Sequence, residues 1–504
     1  MADVIILSGS KPIDPRQPRV FRTLGAYRIA SELKKQGYSA VVIDYVQYMT
    51  ADEVINAISK VLTPTTLWVG YSSTFFRLDN AFGTGIFNNK MVKMYQSNDL
   101  DKITRIYNYI KSNSTAKIVF GGAYALQAHA DQRVDYYVAG YGDVSSVDLT
   151  NYLAGKVATL QHSQEIDING SKSILIDSGK YPDPAMDTLQ TCWHDDDVHL
   201  LPGEAVPLEF ARGCIFKCKF CSYPLLGKKK GTYIRDMEEV RDEMIELWEK
   251  KGTDTYYITD DTFNDDHDKM IEFHKLMTSL PFKPKFACFL RLDLMEKYPE
   301  QAEMLLEAGL VGNFFGIESF NHKSAKSIGK GMHPDKLKNR LKEVRKVWEG
   351  KVNTSVGLII GLPYDDDAYF QELWDYVHSD DYPVQHTSFN PLHIVDKRNG
   401  VNMYGSEFAL NPEIYGYKFN KNGWYHEEQG LTFKKCIEIA NKFTKSLETK
   451  TLAPEFQVIT YLATGVPLED ILKYTEGELQ RKYNIPQLNN ERISMYKRMV
   501  GAIK

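Results

Sequence analysis

The chain has 504 residues, of which 43% are hydrophobic and 25% charged, and its 61 Lys+Arg against 66 Asp+Glu leave a net charge of −5. That length allows roughly three domains and a large core, and the balanced charge argues against a protein built to coat nucleic acid, though a local basic groove stays open. Six cysteines are too few for a disulfide scaffold, no apolar run approaches the ~18 residues of a membrane span, and the first residues lack the basic start of a signal peptide. The expected setting is a reducing cytoplasm, where thiols can hold a metal.

Residues 1–154 alternate short apolar strands with helical periods. Strands are predicted at Val4–Leu7, Ala40–Ile43, Thr66–Ser72, Lys117–Phe120 and Tyr136–Ala139. Helices are predicted at Leu24–Gly37, Ala51–Leu62 and Leu100–Lys111. This alternation implies a doubly wound parallel α/β sheet, which takes ligands beyond the carboxyl ends of its strands. Those ends carry Ser8-Gly9-Ser10, Ser72-Ser73-Thr74, Gly121-Gly122 and Gly140-Tyr141-Gly142. Such small residues let a bulky ligand approach the backbone, and they equally suit tight turns.

Residues 155–203, with Pro182, Pro184, Pro202 and the acidic run Asp195–Asp197, read as a surface linker. Residues 204–395 alternate again. Six strands are predicted at Val206–Ala211, Thr255–Thr259, Lys285–Leu290, Val311–Gly316, Thr354–Ile360 and Thr387–Asn390. The helices between them are Met237–Lys250, Asp266–Ser279, Leu294–Ala308, Asp335–Trp348 and Ala368–His378. Six strand–helix repeats suggest a partial (β/α)6 barrel with its chemistry at the carboxyl ends of the strands. Residues 396–504 read as a mainly helical region that could cover a substrate pocket, with helices at Leu431–Leu447 and Pro467–Tyr474.

Three of the six cysteines fall within eight residues. Cys214, Cys218 and Cys221 form a C-x3-C-x2-C run just after the first strand of the second unit. Thiolates suit zinc or iron–sulfur. A structural zinc site wants four ligands in paired spacing, and no second C-x2-C exists here. Three thiolates suit a four-iron cluster with one iron left open for a substrate.

This run, with Phe220 before its last cysteine, resembles the signature of the radical S-adenosylmethionine (SAM) superfamily. The resemblance implies that Cys214, Cys218 and Cys221 hold a [4Fe-4S] cluster. Its open iron would chelate SAM, and one-electron reduction would cleave SAM to methionine and a 5′-deoxyadenosyl radical. Further motifs fall in order at the strand ends. Asp260-Asp261-Thr262-Phe263 looks like the family's Asp-Asp-x-Phe variant, whose carboxylates would receive the SAM ammonium; capping of the next helix suits Asp261 equally. Gly316-Ile317-Glu318-Ser319 resembles Gly-x-Glu-Ser, which implies a SAM contact at Glu318 and Ser319. Gly357-Leu358-Ile359-Ile360-Gly361-Leu362-Pro363 resembles the segment beside adenine and adds Gly361. Arg291 ends the third strand and suits the SAM carboxylate or a salt bridge.

A doubly wound domain before such a core is the layout of the cobalamin-binding radical SAM family, and the resemblance spans about residues 1–395. It rests on Gly121-Gly122-Ala123-Tyr124, on the run from Val134-Asp135 to Gly140-Tyr141-Gly142-Asp143, and on Ser72-Ser73-Thr74. The resemblance implies cobalamin contacts at Ser72, Ser73, Thr74, Gly121, Gly122, Gly140 and Gly142. The cobalt-binding Asp-x-His-x-x-Gly of cobalamin mutases is missing after the first strand, and His129 is the only histidine before residue 150. The implied activity is methyl transfer to an unactivated carbon. The implied partners are an unidentified substrate, a small molecule or peptide in preference to nucleic acid, and a one-electron donor such as flavodoxin or ferredoxin. No membrane is expected.

Two alternatives stand beside this reading. One keeps the SAM radical and makes the first domain a degenerate cap. The other is a zinc- or cluster-stabilised binding protein without catalysis. The tRNA methylthiotransferases share the domain order but need N-terminal cysteines, and none precedes Cys192. Of the remaining features, Lys228-Lys229-Lys230 reads as a solvated turn, and Cys192, Cys288 and Cys436 as structural. His386, Asn390, His393, Tyr404, Tyr415, Tyr417, Trp424, Tyr425 and His426 are candidates for shaping a substrate pocket or packing the tail's own core.

Overall fold

The computed structural model describes residues 1–9, 20–72, 83–87, 90–94, 100–122, 125, 131–168, 170–193, 195–223, 225–229, 233–394, 406–448 and 450–502. The segment from Ser10 to Pro15, together with Ser73, Thr74, Ala123, Tyr124, His129, Lys230 and Tyr404, lies outside these residues.

The first sheet contains β1 (Val4–Leu7), β2 (Ala40–Ile43) and β3 (Trp68–Ser72), then, past a separate hairpin of β4 (Gly83–Phe87) and β5 (Lys90–Met94), β6 (Lys117–Gly122), β7 (Tyr136–Ala139), β8 (Ser163–Ile168) and β9 (Ser171–Asp177). Its order is β2-β1-β3-β6-β7-β9-β8, parallel except for β8, which pairs antiparallel with β9. The four-residue apolar strands at its centre are buried throughout, as a parallel sheet covered on both faces requires. The last two strands lie where a linker was expected. β8 escaped because it is a mostly exposed edge strand of alternating polar and apolar residues. Asn169-Gly170 between the two strands is the hairpin signal that could have found it.

The second sheet contains β10 (Val206–Leu208), β11 (Thr255–Ile258), β12 (Lys285–Leu290), β13 (Leu310–Glu318), β14 (Asn353–Ile360) and β15 (His386–Pro391). All six are parallel and neighbours in chain order. Successive right-handed crossovers in one direction put the connecting helices on one face. The helix expected over 294–308 is two helices, Leu292–Lys297 and Gln301–Glu307. Pro299 breaks it, because proline lacks the N–H and disfavours helical backbone at the residue before it.

The C-terminal region divides its packing. A small antiparallel sheet of β16 (Tyr417–Asn420), β17 (Gly423–His426) and β18 (Leu431–Thr432) precedes helix 433–447, which Thr432 caps through Lys435 N–H at 3.1 Å. Leu431 is therefore strand, not helix. Helix 455–463 lies across β11–β14 on the face away from the other helices. Helix 485–501 reaches the first sheet, where Tyr496 Oη accepts from Asp44 N–H at 2.7 Å. No helix among the described residues is long and apolar enough to cross a membrane.

Where these parts meet, a fully buried ion pair locks them. Arg22 makes two hydrogen bonds to Glu204, at 2.8 and 3.1 Å, and donates to the carbonyls of Val198 and His199. Tyr45 Oη donates to the same carboxylate, and the rings of Tyr27, Tyr45 and Tyr496 surround the guanidinium.

Glu455, the first residue of helix 455–463, is a buried carboxyl with no cationic partner in contact among the described residues. Its N–H donates to Ser355 Oγ at 3.2 Å, and its Oε2 has no hydrogen-bond partner. Burial lifts its carboxyl to about 7. The folded chain therefore keeps a proton that the unfolded chain releases near 4.5. That contribution to stability is complete below about 4.5 and is lost as pH rises through about 7. Glu455→Gln should flatten this slope, read as urea midpoints across the same pH range.

Candidate functional site

β10 leads into the three-cysteine loop, and hydrogen bonds hold that loop at both ends. Cys214 N–H donates to Leu225 O at 2.9 Å, and Gly227 and Lys228 return to Cys214 O at 2.7 and 3.1 Å. Cys221 N–H donates to Cys218 O at 3.1 Å. Lys219 is tied on both sides, donating to Ile328 O and accepting from Phe408 N–H. Cys214 is buried, Cys218 and Cys221 are half-buried, and none is in a disulfide. Burial pushes the Cys214 thiol up and the Cys221 thiol to about 12. Iron would have to displace those protons.

Among the described residues, no three His, Cys, Asp or Glu side chains are grouped to hold one metal ion. A four-iron cluster differs, because each thiolate takes its own iron. The donor set fits such a cluster: three thiols on a pre-formed loop, with Arg291 Nη1 3.6 Å from Cys218 Sγ and Thr262 Oγ1 3.4 Å from Cys214 Sγ.

The two strand-end aspartates have different surroundings. Asp260 is buried; its Oδ1 accepts from Phe210 and Ala211 N–H at 2.8 and 3.0 Å, and its Oδ2 faces Lys269 at 3.4 Å. These bonds fasten the end of β10 to that of β11. Asp261 remains free: its Oδ2 is buried without a hydrogen-bond partner, and burial with the neighbouring carboxylates lifts its carboxyl to about 7. An unpaired buried carboxylate oxygen near the thiols fits a ligand's ammonium group.

Arg291 grips Asp293 with two bonds, at 3.0 and 2.6 Å, and stacks 3.8 Å from the Phe216 ring centroid. Glu318 follows a register shift in β13 and has φ +68, a strained value for glutamate. It is held by Lys330 at 3.2 Å, and Lys330 also donates to Gly316 O. Lys330 was missed by sequence reasoning; its only signal is a lysine between Gly329 and Gly331 where a helix ends.

Ser319 is fully buried and bonded to Tyr369 Oη and Asn321 N–H, so it shapes a turn. Gly361 has φ +103, and a Cβ there would come 2.7 Å from Cys436 Sγ and 2.8 Å from the Trp424 ring. It is the seat of the C-terminal region. Phe220 is partly buried against the main core. Tyr417, Trp424 and His426 are buried, the first donating to Gly361 O and the second to Leu392 O. His386 is half-buried and desolvation holds it near 4, and desolvation also lowers His393 and His426.

At the first sheet, register puts Ser72 beside Gly121, and Gly121 and Gly122 beside Val138 and Ala139. Ser72, Gly121 and Gly122 are half-buried. This ledge of small residues fits a broad ligand such as cobalamin lying on the strand ends. Gly142 precedes helix 143–153, and a Cβ on it would meet Ser146 Oγ at 3.0 Å and Ile29 at 3.1 Å. Asp143 joins the two sheets. It bonds Arg212 Nη1 at 2.8 Å, and Arg212 also makes two bonds to Glu209 just before the cysteine loop.

A parallel sheet with three thiols after its first strand and a free carboxylate after its second is a strand-end site built for a sulfur-ligated cluster. Residues 208–377 match the family model described as the Radical SAM superfamily. The chain is 24% identical over 262 residues to bacteriochlorophyllide d C-12(1)-methyltransferase of Chlorobaculum tepidum, covering 48% of this chain and 53% of that protein. It is 26% identical over 178 residues to the anaerobic magnesium-protoporphyrin IX monomethyl ester cyclase of Cereibacter sphaeroides, covering 34% and 28%. The chain thus spans about half the length, or less, of these curated relatives. Across 98% of its length it shares the fold of the radical SAM methyltransferase TsrM from Kitasatospora setae, solved with cobalamin and a [4Fe-4S] cluster bound (100% of that chain, TM-score 0.61, 13% identity). It also shares the fold of the cobalamin-dependent radical enzyme OxsB, over 98% of this chain and 79% of that one (TM-score 0.56, 15% identity).

Proposed function

We propose that the chain is a cobalamin-dependent radical SAM enzyme that methylates an unactivated carbon of a small molecule. The observation that carries the reading is the pre-formed three-thiol loop beside the unpaired Asp261 carboxylate. When bound, the cluster, SAM and cobalamin supply one-electron cleavage of SAM and methyl transfer. Cys214, Cys218 and Cys221 would hold the cluster, and Asp261 would take the SAM ammonium. The Arg291–Asp293 and Glu318–Lys330 pairs hold their charged groups at the same strand ends. The ledge at Ser72, Gly121 and Gly122 would carry cobalamin, and the Asp143–Arg212–Glu209 bridge would fix the first sheet relative to the cluster loop. The relatives support the methyl-transfer reading: one is named a methyltransferase of a tetrapyrrole, and TsrM has been solved with tryptophan as substrate. A flavodoxin or ferredoxin would supply the electron, in a reducing cytoplasm.

Anaerobic purification from cobalamin-fed cells, followed by cobalt quantitation, tests the cobalamin part. Close to one cobalt per chain is expected; none would leave a radical enzyme with an empty first domain. Asp261→Asn should weaken SAM binding roughly tenfold or more by removing a charge-assisted contact, measured by anaerobic calorimetry. Asp260→Asn should instead lower the melting temperature.

A further inference from the structure

The second sheet carries a row of aromatic rings that the cofactor contacts above leave unused. Phe289 and Phe314 are register partners on β12 and β13, edge to face with centroids 5.4 Å apart. Tyr257 on β11 meets Phe289 at 6.0 Å. Phe21 and Phe456 both pack edge-on against Tyr257, at 5.7 and 5.4 Å, and against each other at 4.7 Å. They close the row at the end of the sheet where helix 455–463 begins. Gly357 makes room for it: a Cβ there would come within 2.3 Å of Phe314 Cζ.

Phe289 and Phe314 stay partly exposed, while Tyr257 beside them is buried. Ser355, the register partner of Phe314 on β14, contacts Glu455, whose Oε2 lacks a partner in a side chain only 6% exposed. Toward the strand ends Asp261 is assigned to the SAM ammonium, and the other charged groups named above are matched, Arg291 by Asp293 and Glu318 by Lys330. On the same face of β15, His386 lies in register with Ser355, its Nδ1 unpartnered among the described residues and its ring held near 4, and Ser388 and Asn390 follow with neutral polar groups. The unclaimed lining is therefore aromatic and neutral, with one orphaned carboxyl oxygen beside it.

We propose that the substrate of this site is a neutral aromatic ring bearing an N–H or O–H donor, seated on Phe289 and Phe314 with its donor turned to Glu455. This rests on the reading of the strand ends as the SAM site. Ring-on-ring contact favours an aromatic over an aliphatic group of equal size, and a donor would satisfy an acceptor otherwise left unpaired.

Ligand-observed NMR titration of the cluster-reconstituted full chain tests this with indole, 1-methylindole and cyclohexanol as probes. Indole should bind about tenfold tighter than cyclohexanol and about fivefold tighter than 1-methylindole. Phe314→Leu should weaken indole about tenfold, and Glu455→Met should bring indole to the level of 1-methylindole. Equal binding of indole and cyclohexanol, or no saturable indole binding, would overturn the proposal in the wild-type chain, whatever the variants' folding. SAM binding, measured separately, reports on the cofactor site, so the two readings fail independently.

Discussion

Cys218→Ala should reduce iron in the reconstituted chain from about four per chain to near zero, and with it remove SAM cleavage by at least a thousandfold. Cys218 is half-buried on a loop, and its Sγ bonds only to Arg291 among the described residues. Its loss should therefore leave the fold intact, with a melting temperature within a few degrees of wild type. No other cysteine can replace it. Cys288 is fully buried in β12, Cys436 packs under Gly361, and Cys192 lies against Tyr27 and Ser31 of the first helix. Cys192→Ala serves as the control and should keep its iron. Retained iron in the Cys218 variant would mean that the loop is not the ligand set.

The largest expected effect on stability is at Arg22. Arg22→Met should cost about 3–5 kcal/mol, because it strands a buried carboxylate. Glu204 would lose both guanidinium bonds while Tyr45 Oη and Leu201 N–H continued to hold it in place. The same change frees the carbonyls of Val198 and His199 and removes the cation from among three tyrosine rings. Glu204→Gln in the Arg22→Met background should recover part of the loss, since an unpaired amide is cheaper to bury than an unpaired charge. Urea denaturation of the two single variants and the double variant measures the coupling. A loss below 1 kcal/mol would mean that the junction is hydrated and the three parts are loosely joined.

The strands were legible because buried parallel strands are short apolar runs, and every predicted strand of both sheets has an observed counterpart. The hairpin of β8 and β9 was not: β8 is an exposed edge strand without an apolar run, and the marks left were Asn169-Gly170 and the short run Ile174-Leu175-Ile176 of β9. The cysteine loop was legible as spacing. Side-chain direction was not. Asp260 and Asp261 are adjacent and identical in type, yet one is consumed by backbone amides and Lys269 while the other keeps a free oxygen. Ser319 and Gly361 were read as ligand contacts from their place in motifs, and the bond of Ser319 to Tyr369 and the close approach of Trp424 to Gly361 left no mark in the local pattern. Lys330 and the Asp143–Arg212 bridge depend on contacts between distant segments, which no local pattern records.

Anaerobic reconstitution with iron and sulfide, followed by reduction with dithionite in the presence of SAM, tests the central claim most directly. The account predicts 5′-deoxyadenosine in the wild-type chain and none in the Cys218→Ala chain. An iron-loaded wild-type chain that leaves SAM intact would contradict it.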